Sequence, residues 1–452
     1  MTETELQDRI TDTTARIGMI GLGYVGLPLA VRFTEAGFTV QGYDIDTDRV
    51  QQLQDGNSYV DDITDAELTA ALADGFTPAD QAKNISACDV YVIAVPTDIK
   101  QGEPQMDAVR AASQTVAEQS GEQETLVVVA STVYPGATED IVKPVVADQR
   151  KQEAEPIRLA MVPERINPAG DYDATEIPLV VGANSKPSRE SASTLFEAIV
   201  IETHPVSSTM TAELTKTLEN TYRMVNIALV NEMAKLSEKM GANVWEAIEA
   251  ADTKPFGFHA FEPGPGVGGH CIPIDSQFLS WQGQNYDEPL TLVEHAHQAN
   301  ESMPVHVVDQ FRTLLRKQDV ELNNAEILTL GVAYKPDVSD TRNSPALDVC
   351  RRLVDQGASI TIADPHVAQV NVLGRNHKPI RTLSEAPVER VDATIVLVDH
   401  TQFDYTQLSG TPLVFDTQNA VSEAVEAAVV ELGKNYEYSR DTGNRYTTNS
   451  EQ

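Results

Sequence analysis

The chain is predicted to be α/β: two Rossmann-like doubly wound domains joined by a long central helix. Three observations predict this. A glycine fingerprint, Gly21-x-Gly23-x-x-Gly26, falls between an apolar strand and a helix. The segment Met210–Met240 holds no Gly or Pro and keeps helical periodicity. Short apolar runs return from Ala325 on, one of them again ending in Asp. Strands that alternate with helices build parallel sheets.

Taken in order, Ala15–Ile20 is a strand and Gly26–Ala36 a helix carrying Leu27, Leu29, Ala30 and Phe33. Phe38–Tyr43 is a second strand that ends at Asp44, and Asp89–Val95, Thr125–Ala130 and Arg158–Val162 are further strands. In the central segment Leu214, Leu218, Val225, Leu229, Met233 and Leu236 recur at spacings of three, four and seven, and Gly241 is a fitting stop. Such a helix, about 45 Å long at 1.5 Å per residue, can link two lobes or supply a dimer interface. Then EILTLG (326–331), a helix from Pro345 to Gln356, SITIAD (359–364) and ATIVLVDH (393–400) form a second Rossmann-like unit without the fingerprint. The expected boundaries are 1–205, 206–305 and 306–437, with a polar, disordered tail over 438–452.

Charge narrows the function classes. Among 452 residues, 68 are acidic and 33 basic, a formal net charge of −35. Such a surface repels nucleic acid. It also repels itself in dilute buffer. In molar salt the Debye length falls to about 3 Å and the repulsion is screened, so the composition points to a high-salt cytoplasm, as in a halophilic archaeon. The cysteines are Cys88, Cys271 and Cys350. They make no disulfide framework and match no metal spacing, so no metal is expected. The acidic start is no signal peptide and no apolar run reaches a membrane span, so a soluble cytoplasmic protein without membrane partners is expected.

The fingerprint predicts NAD. Gly21 allows the tight turn, Gly23 lets a pyrophosphate approach the backbone, and Gly26 packs helix on strand. Asp44 stands where a carboxylate takes the adenosine ribose hydroxyls, and Arg49 can line the same pocket.

Cys271 follows eight residues that hold four glycines and two prolines. Such a segment suits a loop that hugs a substrate. A thiolate can add to an aldehyde, hold it as a thiohemiacetal and allow a second oxidation, to the acid. The plain alternative is a structural thiol. Ser131-Thr132 and Glu164-Arg165 follow strands at the ligand-binding edge of the sheet. Lys216, Asn220 and Arg223 share one helix face, and Asp275 lies four residues after Cys271.

Six stretches carry a resemblance: GLGYVGLPLA (21–30), STVYPGATE (131–139), VPERINPAG (162–170), AELTKTLENTYRMVNIALVNE (212–232), PGPGVGGHCIPID (263–275) and GVAYKPDVSDTRNSPALDV (331–349). Together they resemble the UDP-glucose/GDP-mannose dehydrogenase family, NAD-dependent nucleotide-sugar 6-dehydrogenases. The resemblance implies an NAD-binding domain first, a central helical domain with the cysteine loop, and a UDP-sugar-binding domain last. It implies Cys271 as nucleophile, with Lys216, Asn220 and Asp275 around the reacting C6. Glu164 becomes the base for thioester hydrolysis, and Thr132 holds the water. Tyr24, Val25, Thr97, Thr132 and Arg342 are implied for the cofactor, and Glu164, Arg165, Arg223, Gly268 and Lys335 for the substrate. A homodimer is the family-based expectation.

GGHCIPID has Ile274 where the glucose and mannose branches resemble a Lys-Asp pair. With EIPLVVG (176–182) it is similar to the N-acetylhexosamine branch, with UDP-N-acetylglucosamine favoured, UDP-N-acetylmannosamine next and UDP-glucose third. Ser276-Gln277-Phe278 departs from that branch's usual Pro and aromatic pair. Two rival readings are a two-electron hydroxyacid-type dehydrogenase and a non-catalytic nucleotide sensor.

Overall fold

The computed structural model describes residues 4–60, 62–149, 156–165, 174–421, 425–434, 436–438 and 446–448. Residues 166–170 of VPERINPAG lie outside them, as does most of the polar tail. Of that tail, Tyr446–Thr448 pairs antiparallel with Tyr436–Tyr438. The chain divides into two compact units, one of residues 1–219 and 274–289, the other of 220–273 and 290–452.

The first unit is built on an eight-stranded sheet. Its order is Thr203–Val206, Leu179–Gly182, Ile157–Met161, Thr125–Val129, Val90–Ile93, Arg16–Ile20, Thr39–Tyr43 and Phe76–Ala79. Pairing is parallel except between Ile157–Met161 and Leu179–Gly182, which meet antiparallel at Met161 and Gly182. Side chains alternate between two cores. Val90, Val92, Leu126 and Val128 face one side, and Tyr91, Ile93, Val127 and Val129 the other. A sheet buried on both faces needs such unbroken apolar runs. EIPLVVG proves to be one of them: Leu179, Val180 and Val181 are buried strand residues. It serves the core.

The second unit holds a five-stranded parallel sheet, ordered Ser359–Ala363, Glu326–Leu330, Ala393–Val396, Leu413–Asp416 and Ala428–Glu431. The doubly wound expectation holds for both sheets. Each changes direction beside its first strand, at the carboxyl ends of Arg16–Ile20 and Val90–Ile93 in one and of Glu326–Leu330 and Ala393–Val396 in the other. Open α/β sheets bind ligands at these points.

The predicted long helix spans Thr209–Met240, 32 residues, and runs from the first unit into the second. It ends at Gly241, whose φ of +80° suits glycine.

Candidate active site

The fingerprint loop has the geometry its glycines allow. Gly21 takes φ +89°, and a Cβ there would lie 2.4 Å from the Ala94 carbonyl oxygen. A Cβ on Gly26 would lie 1.9 Å from the Gly21 oxygen, so helix and turn pack directly. At Gly23 nothing stands within 4 Å of the Cβ position, which leaves the backbone open to a phosphate. The helix Gly26–Glu35 has no side-chain cap at Val25. Its N–H groups and dipole favour an anion, so the loop fits a dinucleotide pyrophosphate. Tyr24 is exposed beside it.

Asp44 does more than the sequence showed. It is buried, and its Oδ2 accepts from the Leu22 N–H at 2.8 Å and from Arg49 Nη1 at 3.2 Å. Its Oδ1 accepts from the Asp46 N–H at 2.9 Å. The carboxylate therefore clamps the fingerprint turn. Arg49 also lies over the Tyr59 ring, 5.2 Å from its centroid. Tyr59, which sequence reading missed, donates its hydroxyl to the Leu22 carbonyl.

At the same sheet edge Thr97 Oγ1 donates to the Thr132 carbonyl at 2.7 Å, and Ser131 Oγ accepts from the Val95 N–H at 2.8 Å. Glu213, another residue sequence reading missed, holds the following loop. Its buried carboxylate accepts from the N–H of Gly136 (2.6 Å) and from the N–H (2.9 Å) and hydroxyl (2.6 Å) of Thr138. Burial pushes its carboxyl above the usual range against those bonds. The loop with Thr132 is thereby tied to the central helix one turn before Lys216. Lys216 and Asp275 are buried, 9% and 2% exposed, which sets both apart from solvated surface charges. Arg165 pairs with Glu219 at 2.6 Å and donates to the Pro178 carbonyl, so it fixes the segment that carries Glu164.

In the second unit Arg223 Nη2 donates to Asn220 Oδ1 at 2.5 Å. That bond sets which end of the amide carries the oxygen. Cys271 is exposed and is the first residue of the helix Cys271–Asn285, whose dipole favours negative charge there. Cys88 and Cys350 are buried, and burial pushes their thiols up to about 11 and about 12.

The loop before Cys271 leans on segment 334–345. A Cβ on Gly268 would lie 2.6 Å from Pro345 Cδ, so a glycine here lets the loop pack closely on that segment. Gly269, at φ +80°, stands over the Tyr334 ring. Its N–H donates to the Arg342 carbonyl at 3.1 Å, and its carbonyl accepts from Asn343 Nδ2 at 3.1 Å. Burial, with the nearby Cys271 and Asp340, pushes the Tyr334 hydroxyl up to about 12. Arg342 pairs with Asp340 at 2.7 Å, and Lys335 lies 5.9 Å from the Tyr334 ring centroid. Tyr334 and Asn343 sit inside a recognised motif, yet nothing in their residue type marked them.

The chain matches known proteins over most of its length. The models of the UDP-glucose/GDP-mannose dehydrogenase family match the chain over residues 15–200 (NAD binding domain), 210–302 (central domain) and 328–423 (UDP binding domain). UDP-N-acetyl-D-mannosamine dehydrogenase of Methanocaldococcus jannaschii is 35% identical over 86% of each chain. UDP-N-acetyl-D-glucosamine 6-dehydrogenase of Pseudomonas aeruginosa is 32% identical over 86% of this chain and 91% of its own. The solved structure of UDP-D-ManNAc dehydrogenase from Pyrococcus horikoshii superposes with a TM-score of 0.83, at 30% identity, over 93% of this chain and 99% of that one. The chain belongs to the UDP-glucose/GDP-mannose dehydrogenase family, whose members are NAD-dependent nucleotide-sugar dehydrogenases. Among the described residues no helix is long and apolar enough to cross a membrane.

Proposed function

We propose that the chain oxidises a UDP-N-acetylhexosamine at C6 to the uronic acid, in two oxidations, through a covalent adduct on Cys271. The observation that carries this is an exposed cysteine at a helix start, at the end of a glycine-rich loop, in a chain that also has an NAD and a UDP binding domain. NAD, when bound, accepts hydride. The protein's residues supply the rest. The Cys271 thiolate adds to the C6 aldehyde to give a thiohemiacetal, and its oxidation gives a thioester. Lys216 and the oriented amide of Asn220 donate to the oxyanion. Glu164 takes a proton from the water that hydrolyses the thioester, Thr132 helps to hold that water, and Asp275 belongs to the same set. Lys335 and Arg342 take the phosphates.

Ile274 in place of a lysine supports the N-acetylhexosamine class. Of the epimers, the gluco form is favoured on GGHCIPID together with EIPLVVG. Two of the three relatives described above are manno enzymes, so UDP-N-acetylmannosamine is assayed beside it. The test is a panel of both epimers and UDP-glucose with NAD in molar KCl, counting NADH per sugar consumed. Two NADH per N-acetylhexosamine are expected. One NADH would favour the two-electron rival, and a preference for UDP-glucose would overturn the branch assignment.

The chain is also proposed to act as a homodimer. One face of the central helix exposes Leu214, Leu218, Leu229, Met233 and Leu236, an apolar stripe that a second copy can cover.

A further inference from the structure

At the point where the second sheet changes direction, two loops flank the strand ends. One is 331–344, with Lys335. The other follows Ala393–Val396 and carries His400, which is fully buried. The backbone N–H of Asp337 donates to His400 Nδ1 at 3.0 Å. An amide nitrogen can only donate, so Nδ1 is the acceptor and the ring proton sits on Nε2. Nε2 donates to Asp364 Oδ2 at 3.2 Å. Asp364 is equally buried and also accepts from the N–H groups of Val332, His366 and Val367. Burial alone would raise its carboxyl, but the His400 bond and these amides outweigh burial and hold it at about 2. It therefore stays ionised and orients the ring. At the other end Asp337 takes φ +59°, and its Oδ1 accepts from the N–H of Thr401 at 3.0 Å and its hydroxyl at 3.1 Å.

Asp337, His366 and His400 also place one possible ligand atom each within 4.8 Å of one another. A metal there would have to break the bond at Nδ1 and strand a loop N–H, which is costly. The geometry points elsewhere.

We propose that His400 is a positioning residue for nucleotide binding: its bond from the Asp337 N–H sets the left-handed turn two residues after Lys335 and so fixes where that lysine stands, while Asp364 anchors the ring in the fold. The proposal rests on the reading of 328–423 as the UDP binding domain. The same loop carries the two hydrogen bonds to Gly269, so the turn that His400 holds also supports the segment leading to Cys271.

Two conservative variants of the full-length protein separate the two bonds. In His400→Asn an amide oxygen takes the place of Nδ1 and the bond to Asp364 is lost. In His400→Gln an amide NH2 takes the place of Nε2 and the acceptor for Asp337 is lost. UDP affinity is measured by calorimetry, with melting temperature, kcat and the KM for NAD alongside. His400→Gln is expected to weaken UDP binding about tenfold, the scale of one lost hydrogen bond, with a smaller change in the KM for NAD. His400→Asn is expected to bind UDP within about threefold of wild type while melting lower. Equal losses of affinity in both variants, or losses that simply track melting temperature, would overturn the proposal. Wild-type protein that binds no UDP would overturn it together with the reading on which it rests. Should either variant fail to fold, hydrogen exchange on the wild type decides: the Asp337 amide is expected to be protected, and rapid exchange there overturns the proposal.

Discussion

Single residues carry the chemistry, and their settings tell them apart. Of the three thiols, two are sealed in cores and raised by burial, while Cys271 is exposed at a helix start. A thiol reagent is therefore expected to label one cysteine in the native protein and three after unfolding. Cys271→Ser should remove the native label and abolish acid formation while NAD binding is kept. Near-normal uronate production by that variant would reject the covalent route. Glu213 plays a different part, holding a loop through three donors. In Glu213→Gln an amide NH2 faces one of those donors, so the variant should lose about 1–3 kcal/mol of stability, measured by denaturation in molar KCl. A loss below about 0.5 kcal/mol, the range of ordinary surface changes, would show that the clamp is dispensable.

At the scale of elements, the periodic segments were legible and the tertiary ones were not. The helix Thr209–Met240 could be read to within a residue because nothing interrupts its period. The strands that end at Asp44 and Asp364 were legible from short apolar runs and their acidic stops. The start of the cysteine helix was not. Pro273 reads as loop punctuation, yet proline is tolerated in the first turn, where its missing N–H costs nothing. Glu213 was invisible for another reason: a carboxylate on a helix reads as a solvated face until the loop packed on it is known. His400 likewise looked like the polar end of a strand. The central helix gives its own prediction. Leu229 is 55% exposed, so Leu229→Glu should leave monomer stability within about 0.5 kcal/mol. If the stripe is the dimer seam, light scattering will show that variant as monomer. A variant that stays dimeric places the seam elsewhere.

Across the whole molecule, charge dominates. A net charge of −35 makes the folded state repel itself, and molar salt screens that repulsion. Melting temperature and activity are expected to rise with KCl into the molar range. Equal stability at 50 mM and 2 M KCl would count against a halophilic origin.

The two sheets solve one problem twice. Gly21 and Gly331 both take positive φ, at +89° and +80°, after the first strand of their sheets. Each donates its N–H to the carbonyl that ends the next strand, Tyr43 in one case and Ala363 in the other, both at 2.8 Å. Each is followed by an N–H clamped by a strand-end aspartate, Leu22 to Asp44 and Val332 to Asp364, again both at 2.8 Å. Aligned on these atoms, Gly-Leu-Gly-Tyr-Val-Gly (21–26) lies on Gly-Val-Ala-Tyr-Lys-Pro (331–336). The second copy has lost the open glycine and gained a proline where the first begins its helix. It has put Lys335 where the first has Val25. On the proposed reading, one turn offers a diphosphate neutral main-chain donors, and the other offers it the charged side chain of Lys335. Hydrogen bonds from amides feel counterions weakly, whereas a lysine–phosphate contact is weakened by them. Raising KCl should therefore erode affinity for the sugar nucleotide faster than affinity for the dinucleotide, so that salt which firms the fold also sets the balance between its two ligands.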